Sequence, residues 1–326
     1  MKTNESKMMK AVVYDRYGAP DVLRLAQKLR PTARKGEVLI RVRATSVTAG
    51  DWRLRRADPC LVRLYNGISK PRRRILGHEF AGEVVGLGEG AEGFAIGDRV
   101  FGSTGFGSGA HAEYLCQPAD GPLAHMPDGL GFEEAATAPV GALTALHFLR
   151  EGDVGEGDRL LIHGASGSVG SAAVQLAKAY GAMVTAVCGP SNTEAIKALG
   201  ADRVVDYSRT DFTKTGERYD FAFNTVGETD YSECKKVLKS GGTYLACDAT
   251  LGDYGKLLLK SVFGGRRIVA GVARETKEDL LRIRELLAKG MFCPLIGQRY
   301  SLAELPEAHA HAESGHKRGN LSVKVA

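Results

Sequence analysis

The apolar run Leu160-Leu161-Ile162-His163 passes directly into Gly164-Ala165-Ser166-Gly167-Ser168-Val169-Gly170, and no other stretch constrains the chain as strongly. Residues 159–163 (RLLIH) read as a buried strand and Ser168 to Tyr180 as a helix. In that helix Val169, Ala173, Leu176 and Tyr180 fall at i, i+4, i+7 and i+11, one apolar stripe. A backbone approaches a pyrophosphate only where side chains are absent. A helix N-terminus then offers unpaired N–H groups and positive dipole to the anion. A glycine triplet alone is a weak signal. Set between a strand and a helix it marks a dinucleotide site, with Ser166, Gly167, Ser168, Val169 and Gly170 around the phosphates; the competing reading is a tight turn without ligand.

The neighbourhood supplies the context. Strands are expected at Met183–Cys188, Arg203–Asp206, Phe221–Thr225, Thr243–Cys247 and Arg267–Val272. They alternate with helices near Thr193–Leu199, Tyr231–Leu238 and Glu278–Lys289. Gly181, Gly200 and Gly290 each follow a helical run, where a C′ glycine belongs. Alternating β and α gives a doubly wound parallel sheet. The first part is β-rich instead: Met9–Tyr14, Val38–Ala44, Gly82–Leu87 and Asp98–Gly102, with turns at Gly86, Gly88, Gly90, Gly93 and Gly97. Short strands with glycine turns suggest a partly closed β-barrel. The last segment, Phe292–Ala326, reads as strand, short helix and strand returning to the first domain. The expected division is 1–138 with 291–326 for the barrel domain, and 139–290 for the nucleotide-binding domain.

The end of the second strand discriminates between nicotinamide cofactors. An NAD site usually places Asp or Glu there, on the ribose 2′-OH. Here Cys188-Gly189-Pro190-Ser191-Asn192 has no acid before Glu194. Without a carboxylate to repel a 2′-phosphate, NADPH is favoured, although no Arg or Lys lies in that loop. Ser191 and Asn192 are candidate donors, and Tyr207 is placed against the adenosine. Thr144 and Val226 are expected at the cofactor as well.

Composition narrows the function classes. With 326 residues, 44% hydrophobic and 25% charged, the chain is neither disordered nor fibrous. The net charge of +6 owes much to Arg53–Arg74, where Arg53, Arg55, Arg56, Arg63, Lys70, Arg72, Arg73 and Arg74 face a single acid, Asp58. That stretch reads as a solvated loop, and neither nucleic acid nor a membrane is expected as a partner. The 6 cysteines are scattered without a C-x-x-C pair, which suggests reduced core thiols in the cytoplasm. The N-terminus lacks an apolar signal region, and residues 1–7 read as a loose extension.

The chain resembles the medium-chain dehydrogenase/reductase superfamily, in its zinc-free, zeta-crystallin-like NADPH:quinone reductase branch. The resemblance runs from Met9 to Val325. It rests on Gly77-His78-Glu79-Phe80-Ala81-Gly82-Glu83-Val84-Val85, Gly97-Asp98-Arg99-Val100, Ala112-Glu113-Tyr114 and Gly141-Ala142-Leu143-Thr144-Ala145. It also rests on the Ala165–Gly170 turn with Gln175-Leu176-Ala177, on Leu199-Gly200-Ala201-Asp202, and on Gly315-His316-Lys317-Arg318-Gly319. It implies an α/β architecture, a GroES-like partly closed β-barrel domain plus a Rossmann domain, with the active site in the cleft between them. It also implies Asn320 near the cofactor.

The zinc branch binds its metal through Cys, His and Cys or Asp. Here Thr48 stands at the first position and Pro139-Val140-Gly141 has no Cys, so no metal is expected, and His78 and Glu79 are read as turn and barrel residues. The resemblance then implies hydride transfer from NADPH to a quinone or an α,β-unsaturated carbonyl. Thr48 is a candidate hydroxyl donor to the substrate oxygen. Asp51 and Tyr65 are further catalytic candidates, though a structural Asp51 competes. His111 reads as a surface or strand residue, and His309 and His311 as solvated. Loops near 51–75 and 250–265 are expected to set substrate choice, and a homodimer is expected, with Arg267–Val272 pairing across a two-fold axis. The competing functions are an alcohol dehydrogenase of the same superfamily and a non-catalytic NADPH- or nucleic-acid-binding protein.

Overall fold

The computed structural model describes residues 7–226, 231–247 and 267–325. The expected substrate loop at 250–265 and residues 1–6 of the N-terminal extension lie outside these. The chain forms two compact units. One comprises Met1–Val140, Glu275–Lys289 and Ile296–Ala326, the other Gly141–Arg274 and Gly290–Leu295.

The second unit is built on a six-stranded parallel sheet. Its spatial order is Arg203–Asp206, Met183–Cys188, Arg159–His163, Tyr219–Asn224, Leu238–Ala246 and Ile268–Ala270. Numbered along the chain this is the 3-2-1-4-5-6 order of a dinucleotide-binding fold. The connections reverse direction between Arg159–His163 and Tyr219–Asn224, which opens a crevice at the strands' carboxyl ends. The helix after the glycines runs Ser168–Ala179 and is buried continuously from Gly170 to Ala177. The expected single stripe is therefore too narrow: Val169 and Tyr180 are only half-buried, while Ala172 and Val174, off the stripe, are fully enclosed. Gly181, Gly200 and Gly290 all adopt positive φ, as C′ residues do. The fifth strand begins at Leu238 rather than Thr243, because a register shift opposite Tyr219 and Phe221 lets the chain pair across Gly241-Gly242.

The first unit carries a seven-stranded sheet. Strands Ile296–Ser301, Asn320–Lys324, Glu37–Ser46, Glu79–Leu87, Arg99–Ser103 and Leu123–His125 follow in order, with Tyr114–Pro118 also paired to Glu37–Ser46. Val38, Ile40, Val42, Phe80, Val84, Val100 and Leu123 fill one core. The strand expected from Gly82 starts three residues earlier: Glu79, opposite Ser103, is a fully buried acidic residue in the ladder, which apolar alternation does not reveal. The C-terminal segment joins this unit, as Val325 N donates to Arg43 O. So does helix Lys277–Ala288, placed by sequence with the nucleotide domain. Arg284 Nε donates to His125 O at 2.9 Å and Lys277 Nζ to Ala119 O at 2.8 Å, contacts no local pattern encodes.

The cysteines divide. Cys188 and Cys234 are core thiols, whereas Cys60 and Cys293 are exposed, and all six are free. Among the described residues no helix is long and apolar enough to cross a membrane.

Candidate active site

In the second unit the glycine turn closes on itself. Gly164, at φ +78°, is the left-handed residue that swings the chain out of the strand; a Cβ there would lie 2.7 Å from Val226 Cγ1 and 2.8 Å from Thr225 Oγ1. Thr225 Oγ1 donates to His163 O at 2.8 Å, and the N–H groups of Gly164 and Ala165 both reach Val187 O, so three strand ends are tied together. A Cβ on Gly170 would sit 2.2 Å from Gly164 O, so the helix can start this close to the strand only with glycine there. Gly167 differs. It is the helix N-cap at φ −77° and ψ 179°, ordinary extended backbone, and a Cβ there would meet only Gly164 O at 3.5 Å. Among the described residues nothing else comes within 4 Å of that Cβ position, and no side chain caps the first helical turn. Gly141 packs against the same turn, where a Cβ would lie 2.7 Å from Ser168 Oγ. Thr144, half-buried, follows one turn along helix Pro139–Gly152.

At the end of the second strand Ser191 is exposed and Asn192 half-buried on the turn Pro190–Asn192. Tyr207 N donates to Cys188 O, and its ring lies over Gly189, whose Cβ would be 3.1 Å from the hydroxyl. The sheet register also sets Asp206 opposite Cys188. Its carboxylate accepts from Ser208 N at 2.9 Å and Ser208 Oγ at 2.7 Å, and Arg209 lies 3.7 Å away.

The first unit holds a buried polar network. Thr48 caps helix Ala49–Arg56: its Oγ1 accepts from Asp51 N, and Asp51 returns the bond to Thr48 N at 2.8 Å, a capping box. Asp51 has no exposed surface, yet its other oxygen accepts from Gly77 N at 2.8 Å and from His78 Nδ1 at 2.7 Å. Burial alone would push this carboxyl up. The charge and hydrogen bond of His78 outweigh that and hold it far below the usual range. Burial likewise pushes His78 down, and Asp51 more than reverses it, so the imidazole holds its proton above the ordinary histidine range. Glu79 accepts from Ser46 Oγ and from Val140 N at 2.7 Å, and burial pushes its carboxyl up to about 7. Burial brings Lys317 down to about 8, with Glu79 and Asp51 opposing it. Glu275 pairs with Ser103 Oγ, and burial raises it too.

Two family models match the chain: the alcohol dehydrogenase GroES-like domain over residues 34–128, and a zinc-binding dehydrogenase model over 199–322. The chain is 32% identical to the chloroplastic quinone-oxidoreductase QR1 of Triphysaria versicolor, across 98% of this chain and 99% of that protein. The chain belongs to the medium-chain dehydrogenase/reductase superfamily, in its quinone-oxidoreductase-like branch. The structure of a quinone oxidoreductase from Coxiella burnetii superposes on this reductase with a TM-score of 0.89 at 32% identity, over 98% of this chain and all of that one. A chloroplastic NADPH-dependent alkenal/one oxidoreductase of Arabidopsis thaliana is 27% identical, over 97% of this chain and 80% of that protein. Membership makes the chain an oxidoreductase that works with a nicotinamide cofactor.

Set against the sequence expectations, the structure gathers Ser166–Gly170, Ser191, Asn192, Tyr207 and Val226 of this reductase at the carboxyl ends of one sheet. Asn320, in the other unit, opens a barrel strand and is 5% exposed. The role expected of Thr48 changes: its one hydroxyl proton goes to Asp51 Oδ2 at 2.7 Å, so it has none to give a substrate. Tyr65 is exposed on helix Val62–Asn66, with the Arg73 guanidinium 4.4 Å over its ring. His111 is no surface residue but fully buried, its Nε2 2.9 Å from Ser46 O. His309 is likewise buried, its ring 5.5 Å from that of His111, and among the described residues neither of its nitrogens has a hydrogen-bond partner; burial keeps it neutral. His311 meets Tyr300 Oη at 2.8 Å.

The donor set fits zinc poorly. His78 Nδ1 is held by Asp51, both Glu79 oxygens are engaged, and Thr48 offers a neutral hydroxyl where a thiolate would stand. Among the described residues no group of three His, Cys, Asp or Glu side chains is placed to hold a metal. Ser46 and Glu275 carry no local signal in the sequence, Lys317 stands in the Gly315–Gly319 motif with no role legible there, and Arg209 lies outside the Cys188–Asn192 loop.

Proposed function

We propose that this chain is an NADPH-dependent reductase that delivers hydride to a quinone or an α,β-unsaturated carbonyl without zinc. The observation that carries the reading is the glycine cradle, where Gly164 and Gly170 serve the fold and Gly167 leaves room that the fold itself does not use. The names of the Triphysaria, Coxiella and Arabidopsis relatives support the acceptor class.

When bound, NADPH supplies the hydride. Ser166, Gly167, Ser168, Val169 and Gly170 would hold its pyrophosphate at the helix N-terminus, with Thr144 and Val226 toward the nicotinamide end; Asn320 keeps the cofactor role that the family resemblance implies. Ser191, Asn192 and Tyr207 take the adenosine end. No carboxylate in Cys188–Asn192 repels a 2′-phosphate, and exposed Arg209 offers a cation to it. Reduction leaves negative charge on the acceptor oxygen, and His78 is the group suited to answer it. Asp51 accepts from its Nδ1 and favours the charged ring, the form in which Nε2 also carries a proton. Asp51 and Thr48 act through His78 as positioning residues, and Tyr65 is the second candidate donor. We place the protein in the cytoplasm as a homodimer joined along Ile268–Ala270, the edge strand of the six-stranded sheet.

An NADPH-oxidation screen with quinones, enones and aldehydes, with metal analysis on the same sample, tests this. The expected outcome is turnover with quinones or enones, no stoichiometric zinc and no effect of chelators. One zinc per chain, lost together with activity, would establish an alcohol dehydrogenase instead.

A further inference from the structure

The basic stretch Arg53–Arg74 is not one solvated loop. Arg55 is completely buried and ion-paired to Glu313, Arg56 pairs with the same carboxylate, and Arg74 lies 3.2 Å from Asp15. These cations serve the fold. Among the described residues no carboxylate lies within ion-pair distance of Arg63, Lys70, Arg72 or Arg73; Lys70 and Arg72 are exposed, while exposed Arg63 lies 5.0 Å over the Tyr17 ring and half-buried Arg73 4.4 Å over that of Tyr65. Between them the chain turns large apolar side chains outward: Leu61 is 48% exposed, Leu64 70% and Ile68 73%. Solvent-facing aliphatic side chains crowded into eight residues are a surface that expects a partner.

We propose that Leu61–Arg73 is a docking surface for an anionic lipid bilayer. Leu61, Leu64 and Ile68 enter the boundary of the acyl region, while Arg63, Lys70, Arg72 and Arg73 meet lipid phosphates with their aliphatic stems alongside. Charge complementarity selects this occupant. A second copy docking through the same face would set four cations against four across a two-fold axis. A nucleic acid would satisfy the cations but leave three aliphatic side chains against a polyphosphate, and the one exposed ring of the segment, Tyr65, already carries the Arg73 guanidinium 4.4 Å over it. The docking needs no spanning helix and holds whichever acceptor the enzyme reduces.

The full-length protein is co-sedimented with vesicles of phosphatidylcholine alone and of phosphatidylcholine mixed with phosphatidylglycerol, at low and high salt. Binding is expected to the mixed vesicles only and to weaken steeply with salt. Lys70→Gln/Arg72→Gln should weaken it about fivefold per residue removed and flatten the salt dependence. Leu64→Ser/Ile68→Ser should weaken it about tenfold or more at every salt concentration. Both pairs replace exposed side chains, so melting temperature and its response to NADPH should match the wild type, which excludes misfolding as the cause. Three results would overturn the proposal. One is a failure of the wild type to bind the mixed vesicles. Another is nucleic-acid binding that exceeds vesicle binding and ignores Leu64→Ser/Ile68→Ser. The third is a dimer that this pair dissociates in the absence of any vesicle binding.

Discussion

Replacing Gly167 with valine separates a cofactor cradle from a mere turn. The backbone at φ −77° and ψ 179° accepts any L-residue, and the nearest atom to a new Cβ is Gly164 O at 3.5 Å, an ordinary contact. The fold loses only the better N-cap, about 1 kcal/mol, which lowers the melting temperature by roughly 2–4 °C. The same atoms enter the space before the first helical turn, where phosphate oxygens must approach. Lost N–H contacts and the clash there cost on the order of 3 kcal/mol, about a hundredfold in Kd. At a concentration of about 100 times the wild-type Kd, NADPH stabilises the wild type by ~2.7 kcal/mol; after a hundredfold loss of affinity the same concentration gives only ~0.4 kcal/mol. Thermal melts with and without NADPH should therefore show a Gly167→Val apo form near the wild-type apo temperature that barely responds to cofactor. Gly170→Ala is the contrast: its Cβ would sit 2.2 Å from Gly164 O and 2.7 Å from Ala165 Cα, so it should melt early whether or not NADPH is present. A full NADPH response in Gly167→Val would refute the cradle, and a wild type with no response would refute the oxidoreductase reading of this turn.

Three further outcomes are expected. Ser191→Asp should move cofactor preference toward NADH by about tenfold or more, because a carboxylate repels a 2′-phosphate and accepts from a 2′-OH; fluorescence titrations with both cofactors measure it. Glu79 binds its proton more tightly folded than unfolded, so stability should fall as pH rises between about 4.5 and about 7, by on the order of 3 kcal/mol. Glu79→Gln can still accept from Val140 N and donate to Ser46 Oγ, and it should flatten that slope in melts taken across the window; an unchanged slope would assign the effect elsewhere. Asp51→Asn removes the charge that keeps His78 protonated, so the limb of the kcat profile that needs a charged His78 should move to lower pH, with a fold loss of about 3 kcal/mol from the broken buried pair.

What the sequence determined by itself was local. The strand–glycine–helix unit at Arg159–Ala179 and the C′ glycines at 181, 200 and 290 follow from backbone stereochemistry and side-chain period among near neighbours, so they could be read directly. Thr48-x-x-Asp51 was legible too, as a capping-box pattern, and reading it would have shown in advance that the Thr48 hydroxyl is committed. His309 also had a signal: it shares a helical face with Leu305, Ala308 and Ala312, and that face is buried. The rest belongs to the tertiary structure. Asp51 finds Gly77 and His78 from across 26 and 27 residues, Glu79 finds Val140 across 61, Ser103 finds Glu275 across 172 and Arg55 finds Glu313 across 258. No period or spacing encodes such meetings. A carboxyl's charge depends on how much water remains around it and which cation stands beside it, and both are settled only when distant segments close over it. Asp51 and Glu79, two carboxylates of one buried network, thus end on opposite sides of the usual carboxylate range.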